Sequence, residues 1–146
     1  MKTRKQQLMV GLFSFFLAIN CVHAGLPEPS RCVICGMEIK KDAKIIFESV
    51  RDGKPIHFCS FSCVHSFHSK YRDAPVFVYD FNSGKKVNAQ SAFFIVKSKN
   101  ILKELEFGMP PAVVAFLDEA SARKVQVRLK DGEVVRGYET LEKMFQ

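Results

Sequence analysis

Four of the five cysteines in this chain fall into two close pairs, Cys32-Val33-Ile34-Cys35 and Cys59-Ser60-Phe61-Ser62-Cys63. If the four thiols act together, the fold must bring to one place two points with 23 residues between them. Local geometry favours this. A Cys-x-x-Cys segment on a tight turn converges its two sulfurs, and Gly36 directly behind it relieves backbone crowding. Cys59 and Cys63 are spaced i, i+4 across the start of a predicted helix, so their sulfurs project to one side. The partial positive charge at that helix N-terminus favours the thiolate form. The pattern is that of a metal knuckle facing a helical turn. Met37, two residues past Cys35, adds a thioether, and thiolate with thioether is a ligand set that suits Cu(I).

The compartment bears on what the thiols can do. Lys2, Arg4 and Lys5 precede an apolar run over residues 8–19, and Val22-His23-Ala24 has the small-x-small form of a cleavage site. Residues 1–24 therefore read as a signal peptide, with Gly25 opening the mature chain. The 12-residue run is too short to span a hydrocarbon core of roughly 30 Å. Lipid anchoring at Cys21 is the competing reading, and Asn20 disfavours it. Export to an oxidising compartment leaves several fates open for the remaining cysteines. Two disulfides would staple a small domain. A structural zinc site or a copper site would keep the thiols reduced.

Other function classes find little support. Removing Lys2, Arg4 and Lys5 lowers the net charge from +7 to +4, and the remaining cations are interleaved with Asp and Glu. There is no basic stripe with aromatic interleaving, so nucleic-acid binding is not expected. No nucleophile–base–acid arrangement stands out, and Gly108-Met109-Pro110 is not a phosphate loop, so the chain does not read as an enzyme. A thioredoxin-like dithiol is the strongest enzyme alternative, but that motif opens a helix after a strand. Here it follows a Pro-rich lead-in, residues 26–30, and precedes a hairpin.

Turn residues divide the mature chain. Strands are predicted over residues 44–50 and 54–58 around Asp52-Gly53. A helix follows over residues 60–71, with Cys63, Val64, Phe67 and Tyr71 on one stripe and His65 and His68 on another face. Residues 76–81 and 92–97 read as strands around Asn82-Ser83-Gly84. Pro110-Pro111 can open a second helix whose face is Val113, Phe116, Leu117 and Ala120. Residues 125–129 and 133–138 read as a second hairpin around Lys130-Asp131-Gly132, with a terminal helix over 140–145. The expectation is an α+β fold of two small modules: 25–75, which carries the cysteines, and 76–146, which carries none. His57, His65 and His68 are expected at the surface or beside a site, with His65 placed to complete one near Cys63. Asp80 is expected to be solvated.

Several segments in order resemble the NosL family of exported copper-binding accessory proteins for nitrous oxide reductase maturation. They are Cys32-x-x-Cys35-Gly36-Met37-x-Ile39, Phe58-Cys59-Ser60, Val78-Tyr79-Asp80, Ala92-Phe93-Phe94-Ile95-Val96 and Gly108-Met109-Pro110. The resemblance implies two related ββαβ-type units and delivery of Cu(I) in the periplasm to an acceptor cuproenzyme or its maturation proteins. It makes Cys35 and Met37 the leading ligands and Met109 a weaker candidate. Cys32, Cys59 and Cys63 then either share that copper or hold a separate zinc. Chains of this family usually carry one cysteine in the Phe-Cys-Ser element. The added Cys63 makes the first module similar to the TRASH/YHS type of treble-clef knuckle.

Overall fold

The computed structural model of the protein describes residues 30–40, 42–105 and 110–146. Residues 1–24, expected from the sequence to be a leader and containing Cys21, lie outside the described residues, as does Met109. The short antiparallel strands β1 (Ser30–Arg31) and β2 (Glu38–Ile39) bracket the first cysteine pair. The hairpin β3 (Phe47–Arg51) and β4 (Lys54–Phe58) follows. Its two-residue loop, Asp52-Gly53, has both φ angles positive, at 53° and 72°, which matches the right-handed twist of the flanking strands.

Helix α1 (Phe61–His68) starts at Ser60, whose hydroxyl accepts the Cys63 N–H. It is shorter than the predicted span to Tyr71, because the chain turns off after Ser69. Strands β5 (Val76–Tyr79) and β6 (Lys86–Asn88) complete a four-stranded antiparallel sheet in the order β4-β3-β5-β6. Strand β6 lies outside the strands expected from the sequence. This sheet thus draws on residues both sides of position 75 and runs to Asn88. Its register aligns Phe58, Phe47, Val78 and Val87 across one face. Helix α1 covers that face, with Phe61 6.2 Å from Phe47 and Phe67 5.2 Å from Phe58, ring centre to ring centre.

The second half contains β7 (Phe93–Val96), α2 (Lys99–Glu104), β8 (Val114–Phe116), α3 (Glu119–Leu129), β9 (Glu133–Arg136) and α4 (Tyr138–Met144). Two expectations are corrected here. The segment after Pro110-Pro111 is not a helix: Ala112–Phe116 is buried residue after residue, and Val114–Phe116 pair with β7. A run buried on every side leaves no polar face for a surface helix, so its fit to a helical stripe was coincidental. The helix begins at Asp118, whose carboxylate accepts the Ser121 N–H. Residues 125–129 are also not a strand. Val127 is 75% exposed while Ala122, Val125 and Leu129 are buried, an i, i+3, i+7 stripe that the Val-x-Val-x-Leu alternation disguised. Lys130, at φ 60°, closes α3, and Asp131 turns back to accept the backbone N–H groups of Lys99 and Asn100 at the start of α2.

The fold is α+β, and the repeat it contains lies elsewhere than the two Asp-Gly turns. In β3-β4-α1-β5 the first strand is central, the second pairs on one side and the post-helical third pairs on the other. The set β7-β8-α3-β9 has the same arrangement, with α2 inserted between its first two strands. Both units contribute to one continuous apolar core that includes Phe58, Phe61, Phe94, Phe116 and Tyr138. Asp80 joins them. It is buried, its carboxylate accepts the Leu117 N–H and both the N–H and hydroxyl of Ser83, and the Phe81 N–H donates to Ala115. The expectation of a solvated Asp80 is therefore corrected: the chain reversal after β5 buries it at the junction.

Candidate metal centre

The two cysteine pairs meet. Sγ of Cys32, Cys35, Cys59 and Cys63 all lie within 4.8 Å of one another. Cys35 and Cys59 are 3.4 Å apart and Cys59 and Cys63 3.9 Å, and all four are free thiols. A tetrahedral ion with metal–sulfur bonds of roughly 2.3 Å would set sulfur–sulfur edges of about 3.8 Å. The cluster is therefore sized for one ion.

Each pair is held by local structure. The Cys32 N–H donates to the Met37 carbonyl and the Gly36 N–H to the Cys32 carbonyl, both at 2.8 Å, which closes the loop into a tight knuckle. Gly36 sits at φ +74°, a conformation that disfavours any residue with a Cβ. The Val33 N–H donates to the His57 carbonyl and docks this loop onto the end of β4. Cys59 leaves that strand, Ser60 caps α1 and Cys63 occupies its first turn. The second pair thus sits across a strand-to-helix corner beside the first.

The electrostatics favour a cation. Burial opposes ionisation of Cys32, but the backbone N–H groups of Cys35, Cys59 and Ile34 outweigh it and lower its thiol to about 7. Burial raises the thiol of Cys59, and the hydrogen bond with Cys35 and the charge of Cys32 raise it further. Burial likewise raises Cys63, against the pull of the Ser60 hydroxyl, with Cys32 adding to the rise. One thiolate is accommodated without metal, and it discourages the next. A bound cation would supply the charge that lets several sulfurs ionise together.

Access is one-sided. Cys32 and Cys63 are buried, Cys59 is half-buried and Cys35 is exposed. Met37 is 44% exposed on the same loop, next to the equally open Val33 and Ile34. Met109 lies outside the described residues. The histidines go elsewhere. His57 is buried against Glu48, in a cluster with the Tyr79 hydroxyl and the Lys86 ammonium. Burial opposes ionisation of that carboxyl, but the hydrogen bonds from Lys86 and Tyr79 prevail and hold it below the ordinary range. His65 does not complete a site near Cys63 through any polar contact in the structure; it and His68 turn to Glu142 on α4. Sequence reasoning missed Glu48 and Glu142, since nothing in their neighbourhoods marks them as buried.

A small α+β protein with a one-ion cysteine knuckle, open at a single thiol, is the class these features define. The chain belongs to the NosL family, whose model matches residues 24–145. The family is one of copper-binding accessory proteins, and no catalytic arrangement stands beside the knuckle among the described residues. Comparison with curated proteins gave no match. Among the described residues no helix is long and apolar enough to cross a membrane.

Proposed function

We propose that the protein is a periplasmic metallochaperone that carries Cu(I) on the four-cysteine cluster and delivers it to a cuproenzyme, nitrous oxide reductase being the acceptor that family membership favours. The observation that carries this reading is the convergence of four thiols with only one side open. A soft cluster selects Cu(I) over harder ions. Transfer proceeds by ligand exchange at the exposed edge. Cys35 is the sulfur an incoming acceptor thiol, thioether or imidazole reaches first, and Met37 beside it offers a thioether during hand-over. Cys32 and Cys63, buried and fixed by the loop and the helix cap, retain the ion until the acceptor has engaged it. Zinc is the alternative cargo, because four thiolates also make a closed structural zinc site.

The test is anaerobic titration of the reduced protein with Cu(I) against a competing chelator, for wild type, Cys35→Ser and Met37→Ala. Wild type retains one copper per chain, and both variants lose it to the chelator more readily. Retention unchanged in both variants would refute the assignment of the exit edge, and wild type that yields its copper at once would refute the copper reading.

A further inference from the structure

The four sulfurs of the knuckle are not equivalent. Backbone N–H groups of Cys35, Cys59 and Ile34 hold the buried Cys32 sulfur, and the Ser60 hydroxyl holds that of the buried Cys63. Both residues belong to the apolar core. Cys35 and Cys59 instead meet each other, Sγ to Sγ at 3.4 Å, and they are the exposed and the half-buried members of the set. The two sulfurs that solvent can reach are therefore in contact with one another, across the two pairs rather than within either.

A disulfide of roughly 2.05 Å would draw these sulfurs together by about 1.4 Å. The knuckle loop has room for that movement. Val33, Ile34 and Met37 are 51%, 48% and 44% exposed, and a carbon added at Gly36 meets no atom within 4 Å. Bringing Cys32 or Cys63 to a partner would instead disturb the hydrogen bonds that anchor them and their packing in the core.

We propose that Cys35 and Cys59 form a reversible disulfide in the metal-free protein, a redox gate that a dithiol reductant must open before the cluster loads. The oxidant is a disulfide, either a small molecule such as oxidised glutathione or an exported thiol–disulfide exchange protein. The Cys35 thiolate attacks one of its sulfurs, forming a mixed disulfide and releasing the first thiolate. The Cys59 thiolate then attacks the Cys35 sulfur, closing the internal bond and releasing the second. The two protons given up by the cysteines pass to the two released thiolates. The protein loses two electrons and the external disulfide gains them. Oxidation leaves only the buried Cys32 and Cys63 as thiols and removes the exposed edge, so the oxidised form cannot take up an ion. A bound ion occupies the same sulfurs and shields them. The gate rests on the exported, metal-carrying reading above, because an oxidising compartment supplies the disulfide.

The test incubates the metal-free protein with oxidised glutathione, alkylates the remaining thiols, and locates the bridge by proteolysis and mass spectrometry. Oxidised and reduced forms are then titrated anaerobically with Cu(I) and, separately, with Zn(II). The expected result is one bridge, Cys35–Cys59, with Cys32 and Cys63 alkylated only after unfolding. The oxidised form retains neither metal against a chelator, reduction followed by removal of the reductant restores binding, and protein loaded beforehand forms no bridge. Reduced protein that yields its Cu(I) at once, yet forms the Cys35–Cys59 bridge and loses Zn(II) binding on oxidation, refutes copper as the cargo and supports the gate. A bridge within either pair, Cys32–Cys35 or Cys59–Cys63, or an oxidised form that holds metal as well as the reduced one, overturns the proposal.

Discussion

Replacing Asp80 tests how the two ββαβ units are held together. Its side chain accepts three hydrogen bonds, from the Leu117 N–H at 2.8 Å, the Ser83 N–H at 2.8 Å and the Ser83 hydroxyl at 2.6 Å. Hydrogen bonds to a charged group contribute about 1.5–3 kcal/mol each, and those sharing one carboxylate do not add fully. Asp80→Ala orphans two backbone donors at once, so a loss of about 3 kcal/mol is expected. Asp80→Asn keeps an acceptor for one donor but presents an amide to the other, and about half that loss follows. Burial opposes ionisation of Asp80, but the hydrogen bonds from Ser83 and the Leu117 backbone outweigh it, so its folded pKa is depressed. The stabilisation is therefore complete above the unfolded carboxylate value of about 3.9 and disappears as pH falls through the lower folded value. Urea unfolding of the metal-free, reduced protein, followed by circular dichroism, measures both effects. The gap between wild type and Asp80→Asn should be constant near neutrality and close in acid. An Asp80→Ala variant within about 0.5 kcal/mol of wild type, or a gap that persists undiminished in acid, would refute the reasoning.

Substitutions at three further positions probe the site and its support. Ser60→Ala removes the hydroxyl that caps α1 at Cys63; it should cost about 1 kcal/mol in denaturant unfolding and hasten copper loss to a chelator. Gly36→Ala meets no atom within 4 Å of the added carbon, so its cost is purely the strain of a positive φ, about 1 kcal/mol. Much of that cost should be recoverable by Gly36→Asn, which tolerates this conformation better. Phe94→Ala, at the centre of the second unit and fully buried, should cost about 3–5 kcal/mol, while the Cu(I) stoichiometry of the still-folded fraction stays unchanged.

The cysteine spacing was the most legible part of the sequence. Short-range rules fix a tight Cys-x-x-Cys loop, an i, i+4 pair at a helix start, and a hairpin at Asp52-Gly53, and those rules act within a few residues. The second unit misled because its signals compete. Lys130-Asp131-Gly132 is chemically a good hairpin turn, yet Asp131 is used to cap α2 and Lys130 to end α3, partners that become adjacent only in the folded chain. The Val113–Phe116 run fits a helical stripe and a buried strand equally well; burial on all sides decides it, and burial is a tertiary property. The ββαβ repeat was legible through family resemblance but not through periodicity, since α2 interrupts its second copy. Glu48, Asp80 and Glu142 are carboxylates that each meet at least one partner 31 to 77 residues away. Local composition carries no trace of such pairings.

X-ray absorption at the copper edge, on protein carrying one equivalent of Cu(I), tests the central claim most directly. A copper bound by the converged thiols is surrounded by sulfur scatterers alone, and alkylating the cysteines beforehand abolishes binding. A nitrogen or oxygen shell with the multiple-scattering signature of imidazole, or undiminished binding after alkylation, would place the copper elsewhere and contradict the account.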